Sequence, residues 1–245
     1  MSAMVNPCDA QNLAAWDQVS CYCERGLNPD FWAEPLNALT NLGFIVAAVF
    51  VYTDLRVSRV QLGKGVILCL IVLLMSVGMG SFLFHSFATQ WSRFADIVPI
   101  AIFVAVYMAL ALNWFVGLPV AVSVVVSGIL VAITVAMFLA GSALNGSLAY
   151  APALLSLLAV GAYLYRRKHG ATDWVLAAFC VFFLSLILRT LDGWPGEAPL
   201  GCMVHQMGEE RVALGTHALW HLLNAVTLYL LLRAAIANPR ERRFK

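Results

Sequence analysis

The side chains in this sequence best suited to chemistry are three histidines, an aspartate and a serine, all set in apolar surroundings. Ser81 and His85, in Gly80-Ser81-Phe82-Leu83-Phe84-His85, are four residues apart and share one face of a helix. His217 and His221, in Thr216-His217-Ala218-Leu219-Trp220-His221, repeat that spacing. Asp96 follows His85 by eleven residues. Charged side chains in an apolar span cost roughly 2.5–3.5 kcal/mol each on insertion scales, so such groups call for a partner or a ligand.

Two imidazoles one turn apart can reach a single metal ion, and His85 would supply a third nitrogen. Three protein ligands leave the fourth tetrahedral position of zinc to water, as in a catalytic rather than a structural site. That water ionises near neutral pH and becomes a nucleophile. Asp96 is placed to take or return its proton. Ser81 could donate a hydrogen bond to a developing oxyanion, or orient a ligand. Together these parts suit metal-assisted hydrolysis of an amide or ester within a membrane. A metal-free His–Asp–Ser cluster, as in a proton path, is the competing reading. Haem is excluded, because two histidines on adjacent turns of one helix cannot sit trans across a porphyrin.

The frame that must position these groups is a membrane bundle. Of the 245 residues, 62% are hydrophobic and 11% charged, and the mean hydropathy is +0.84. Soluble domains run at roughly 45–50% and 25%. Apolar stretches of about 20 residues recur, enough to cross the hydrocarbon as helices. The expected spans are 33–53, 66–87, 94–112, 119–139, 148–165, 174–191 and 215–236. The fold class is thus an all-α integral membrane protein, a seven-helix transmembrane bundle. Residues 1–32 form a polar N-terminal segment with a short interfacial helix, 33–236 the seven-helix domain, and 237–245 a basic cytoplasmic tail. The acidic residues Asp9, Asp17, Glu24 and Asp30 argue against a signal peptide at the start. Pro35 marks the first turn of the first span, where a missing N–H costs nothing. Basic residues interleave with no aromatic stripe, so nucleic acid is not an expected partner.

Seven spans put the termini on opposite sides. Arg56, Arg59, Lys64, Arg166, Arg167, Lys168, Arg233, Arg240, Arg242, Arg243 and Lys245 then share one side, and Arg25, Arg93, Arg189 and Arg211 the other. Eleven against four makes the richer side cytoplasmic and the N-terminus outer or lumenal. Ser81, His85, Asp96, His217 and His221 all then fall in the outer half.

Other polar residues suggest less specific roles. Glu34, Asn37 and Asn41 share a face of the first span, suited to interhelical hydrogen bonds or to a cation or head group. Arg189 and Asp192, near one turn apart, are expected to pair. His169 lies in a basic loop on the far side, and His205 in a long polar outer loop that runs to about Leu214. Cys69 and Cys180 fall within spans as packing residues. Cys8, Cys21, Cys23 and Cys202 lie outside, where disulfides form. A bridge between Cys23 and Cys202 would tie the N-terminal segment to the outer loop beside the histidines.

These motifs resemble those of the alkaline ceramidases, part of a seven-span hydrolase superfamily that includes adiponectin-receptor-like proteins. The likeness lies in Cys23-Glu24, in Ala33-Glu34-Pro35-Leu36-Asn37-Ala38-Leu39-Thr40-Asn41, in Gly80–His85, in Asp96 with Pro99 after it, and in His217–His221. The resemblance implies that His85, His217 and His221 bind zinc, that Asp96 acts on the zinc-bound water and that Ser81 assists at the carbonyl. It also implies a calcium site involving Glu24 and Glu34. Cys21 or Ser20 stands where that family has an aspartate, Gly26 where it has a side-chain ligand, and Ile97 where it has a second acid. The implied activity is cleavage of the N-acyl bond of ceramide or a related lipid amide, with substrate entering sideways from the bilayer. The alternatives are a seven-span lipid receptor with structural zinc, and an acyl-lipid esterase.

Overall fold

The computed structural model describes residues 14–19, 22–26, 28–58, 60, 62–141, 143–192, 200–207 and 210–239. Cys8, Ser20, Cys21, Arg59, Pro195, Pro199 and the basic cluster from Arg240 lie outside the described residues. Among the described residues, seven helical segments are long and apolar enough to cross a membrane. The first combines α1 (Pro35–Thr40) and α2 (Leu42–Val57). Then come α3 (Lys64–Phe87), α4 (Gln90–Ala111) with a π-helical extension (Leu112–Val116), and α5 (Val120–Leu139). A 3₁₀ turn (Ser147–Tyr150) leads into α6 (Ala151–Arg166), followed by α7 (Thr172–Leu191) and α8 (His217–Ala237).

Apolar side chains surround each helix, as expected when lipid rather than water covers the outer face. α5 is the extreme case, presenting Val122, Val125, Ile129 and Ile133 outward and burying Ser123 and Ser127. Such small residues let helices approach without a hydrophobic driving force. The interior holds Phe44, Ile67, Leu70, Leu74, Phe103, Leu164 and Leu232. Cys69 and Cys180 are exposed on the outward surface, so they are not interior packing residues.

One contact fixes the relation of α3 to α4. A Cβ built on Gly80 would lie 2.0 Å from the carbonyl oxygen of Ala95 and 3.2 Å from the backbone nitrogen of Asp96. Only glycine permits so close an approach, and it seats Ser81 against the turn that bears Asp96.

The site end of the bundle departs from expectation in three ways. Among the described residues before Glu34 there is no helix; the segment runs as an irregular strap. Val19 N–H donates to Ala88 O at 2.7 Å, and Gln90 N–H to Asp17 O at 3.0 Å. Backbone pairing with the α3–α4 turn thus replaces helix formation. Second, α4 begins at Gln90, so Trp91 and Arg93 belong to its first turn rather than to a loop. The N–H of Thr89, which precedes the helix, is satisfied by Ser92 Oγ at 3.0 Å. Third, the stretch read as a long polar loop contains an antiparallel hairpin, β1 (Cys202–Met207) and β2 (Glu210–Gly215), with Cys202 opposite Gly215. Period-two patterning there is weak, so the strands were hidden. A disulfide joins Cys23 to Cys202 and ties strap to hairpin.

Candidate metal centre

His85 comes from the last turn of α3, while His217 and His221 form the first turns of α8. All three are buried, and one ligand-capable atom from each lies within 4.8 Å of the others. The ring centroids are 4.6–5.2 Å apart.

Surrounding residues orient these rings. His85 Nδ1–H donates to Glu34 Oε2 at 2.6 Å, which leaves Nε2 buried without a partner among the described residues. His221 Nδ1 lies 3.0 Å from Thr40 Oγ1. The Thr40 hydroxyl spends its single proton on the carbonyls of Leu36 or Asn37, at 2.9 and 3.0 Å. It therefore accepts from His221 Nδ1–H, and His221 Nε2 too is left as a buried, unpartnered lone pair. Carboxylate and hydroxyl partners that set the tautomer in this way are characteristic of metal-ligating histidines. The His217 ring stacks between Tyr22 and Trp220, at centroid distances of 3.9 and 5.0 Å. Its backbone N–H donates to Asp192 Oδ1 at 3.4 Å.

Among the described residues, Ser81 Oγ, Asp96 Oδ1 and His217 Nδ1 are also buried without a partner at hydrogen-bonding distance and angle. Asp96 neighbours Ser81 and His85. Leaving a buried polar group unpaired costs roughly 1–3 kcal/mol. Five such atoms in one cluster fit a site that expects a ligand, and the three-imidazole set fits a metal ion.

The acidic pair at the strap lies close by but is engaged differently. Both oxygens of Glu24 accept helix N-terminal N–H groups, from Leu36 at 2.7 Å and Asn37 at 2.8 Å. Burial nonetheless pushes the Glu24 carboxyl above its usual range. Glu34 Oε1 accepts from Arg25 Nε at 2.6 Å, while Oε2 accepts from His85 and from Asn37 Nδ2 at 3.0 Å. A guanidinium already sits on this carboxylate, so Glu24 and Glu34 do not fit a calcium ion. Asn37 thus supports Glu34, whereas Asn41 Nδ2 bonds locally to Asn37 O at 2.8 Å.

The expected Arg189–Asp192 pair does not form. Arg189 turns into the bundle, over the rings of Trp220 and Tyr150 at 5.3 and 5.6 Å. Asp192 turns toward His217, and burial, against the pull of the Cys23 and His217 N–H groups, pushes its carboxyl up to about 6. Burial likewise lifts the Tyr22 hydroxyl to about 12. His169 lies at the opposite end, accepting from Ala171 N–H at 3.0 Å, and His205 is exposed on β1.

Arg25, Tyr22, Thr40 and Asp192 are the contributors that residue-by-residue reasoning missed. Thr40 lies within the motif that carries Glu34 and Asn37, the one available signal. Tyr22 and Asp192 act through contacts far apart in the sequence, and Arg25 through nearby Glu34 together with the distant carbonyls of His85 and Ser86.

Beneath the histidines an apolar cavity follows the bundle axis, lined by Val77, Phe103, Tyr107, Leu157, Phe182 and Leu231 among others. It extends from Trp220 to Leu231 along α8, about 16 Å at 1.5 Å per residue.

The chain is thus a multi-pass helical membrane protein with a buried histidine cluster able to hold a metal ion at one end of its bundle. A family model described as Ceramidase matches residues 22–238, and the chain belongs to the ceramidase family. Membership implies a hydrolase of the ceramide amide bond. A comparison with curated proteins finds no match.

Proposed function

We propose that this protein is an intramembrane, zinc-dependent amidohydrolase that cleaves the N-acyl bond of ceramide or a related lipid amide. The observation that carries the reading is the group of unpartnered atoms on His85, His217 and His221, two of them with tautomers set for metal binding. Three convergent imidazoles favour zinc and leave one coordination position open. When bound, zinc would supply a water acidified toward neutral pH and polarise the substrate carbonyl.

The remaining work falls to the chain itself. Asp96 accepts the proton from the attacking water and returns it to the amide nitrogen as that nitrogen leaves. Ser81 donates its hydroxyl hydrogen to the carbonyl oxygen as negative charge develops there. Both groups are buried, where such interactions are stronger than in water. The cavity takes the acyl chain, and its lining excludes water from that end of the substrate. Lipid enters laterally between helices with its head group toward the strap and hairpin. Because basic residues crowd the opposite end, the N-terminus is outer or lumenal, the C-terminus is cytoplasmic and the site lies in the outer half.

Metal analysis of the purified protein tests the reading, with His217→Ala and Asp96→Asn as companions. The expected result is about one equivalent of zinc in the native protein and in Asp96→Asn, and well under half in His217→Ala. Release of fatty acid from lipid amides should fall by roughly 10²-fold or more in Asp96→Asn. A native protein without zinc, or an Asp96→Asn variant with full turnover, would refute it. A lipid receptor with structural zinc predicts bound zinc, no fatty-acid release from the native protein, and a ligand response left intact by Asp96→Asn.

A further inference from the structure

Arg25 is the most completely engaged polar side chain beside the site. It is fully buried. Its guanidinium has five N–H donors, and five oxygens receive them. Nε donates to Glu34 Oε1 at 2.6 Å. Nη1 donates to the carbonyls of Asn28 and Asp30 at 3.2 and 2.9 Å. Nη2 donates to those of His85 and Ser86 at 3.1 and 3.4 Å. One side chain therefore joins the strap, the start of the first span and the end of α3. The same Glu34 receives His85 Nδ1–H, so Arg25 reaches His85 twice, through that carboxylate and through the residue's own carbonyl.

A carboxylate with four carbonyls is also the kind of oxygen shell that holds a hard divalent cation. Here a covalently attached cation fills it. We propose that Arg25 acts as a non-dissociable internal cation that locks Glu34 against His85, which makes it a positioning residue for the metal centre and frees the protein from any need for calcium. A mobile ion would leave the geometry of His85 dependent on the surrounding calcium concentration. The fixed guanidinium removes that dependence and adds directional bonds that a spherical ion cannot make. The inference rests on the proposed role of His85 as a metal ligand.

Two measurements on the full-length protein in detergent test it. Zinc-loaded, calcium-stripped protein titrated calorimetrically with calcium chloride should show no saturable binding, and lipid-amide hydrolysis should not respond to calcium. A stoichiometric calcium site, or hydrolysis that requires calcium, overturns the inference without any variant. Second, Arg25→Lys keeps the charge but loses the fork, and Arg25→Ala loses both. Zinc affinity by chelator competition should weaken about tenfold in Arg25→Lys. The visible spectrum of the cobalt-substituted protein should shift with it, a change that a purely structural role would not produce. Millimolar guanidinium chloride should restore zinc affinity in Arg25→Ala. Native zinc affinity and an unshifted cobalt spectrum in Arg25→Lys overturn the inference even if Arg25→Ala fails to fold. The outcomes separate from those of the metal reading. Native protein that takes up no zinc defeats both, whereas zinc uptake unaffected by Arg25→Lys leaves the metal reading standing and defeats this one.

Discussion

Gly80→Ala offers a direct test of how the two halves of the site are held together. The added Cβ would stand 2.0 Å from Ala95 O and 2.7 Å from Ala95 C. Contacts under 3.0 Å are essentially never seen for real Cβ atoms, so α3 and α4 must part by about 1 Å at this level. The obstacle is backbone, and no rotamer change relieves it. Overpacking of this kind costs roughly 1–3 kcal/mol, occasionally more. The functional effect should exceed the effect on stability, because Ser81 and His85 travel with one helix and Asp96 with the other. A displacement of about 1 Å at reacting groups can cost roughly 10²-fold in rate. Thermal unfolding in detergent, zinc content and lipid-amide hydrolysis should be measured on the same preparation. The expected variant is folded, modestly less stable, still able to take up metal, and about 10²-fold slower. Gly128→Ala is the control, since a Cβ there meets nothing within 4 Å. Native stability and turnover in Gly80→Ala would refute the claim that this approach sets the site.

Glu34→Gln removes the charge that serves both Arg25 and His85. One of those donors must then face an amide NH₂, so zinc affinity should weaken about 10–100-fold by chelator competition. Unfolding should become easier by about 3–5 kcal/mol, the cost of breaking a buried pair. Asp192 predicts a pH dependence of the less common sign. Its carboxyl rises from the usual 3.8 to about 6 in the fold, so the folded state binds more protons between those values. Stability is therefore fully present below about pH 4 and declines as pH rises toward 6, by about 3 kcal/mol from this group. Asp192→Asn should flatten that segment of the melting temperature against pH. Replacing Cys23 and Cys202 together by alanine should lower stability by about 2–5 kcal/mol and loosen the hairpin, as proteolysis under native conditions would report.

Much of this protein was legible in its residues, and for a definite reason. A bilayer admits few structures, so runs of apolar residues with polar breaks locate seven spans to within a few residues. Pro35 marks the start of the first span, as expected. Polar groups inside such runs are conspicuous because they are costly, which is why His85, His217, His221, Asp96 and Ser81 could be singled out from type and spacing alone. The site-end connections were harder to read. The strap's backbone pairs with the α3–α4 turn, and the hairpin is stabilised by ladder bonds and by a disulfide to a residue 179 positions away. Neither leaves a strong local pattern.

Residue types and their spacing suffice for the membrane bundle and for the set of residues able to hold a metal. Both follow from local quantities, the free energy of burying each side chain and the helical repeat. How those residues are held follows from the packing of the helices. It gave His85 a carboxylate and His221 a hydroxyl, sent Arg189 to Tyr150 and Trp220 rather than to Asp192, and set Arg25 on Glu34 where a calcium ion was expected. Those choices turn on contacts of 2.6–5.6 Å between residues as many as 181 positions apart. No side chain carries that information until the helices have packed.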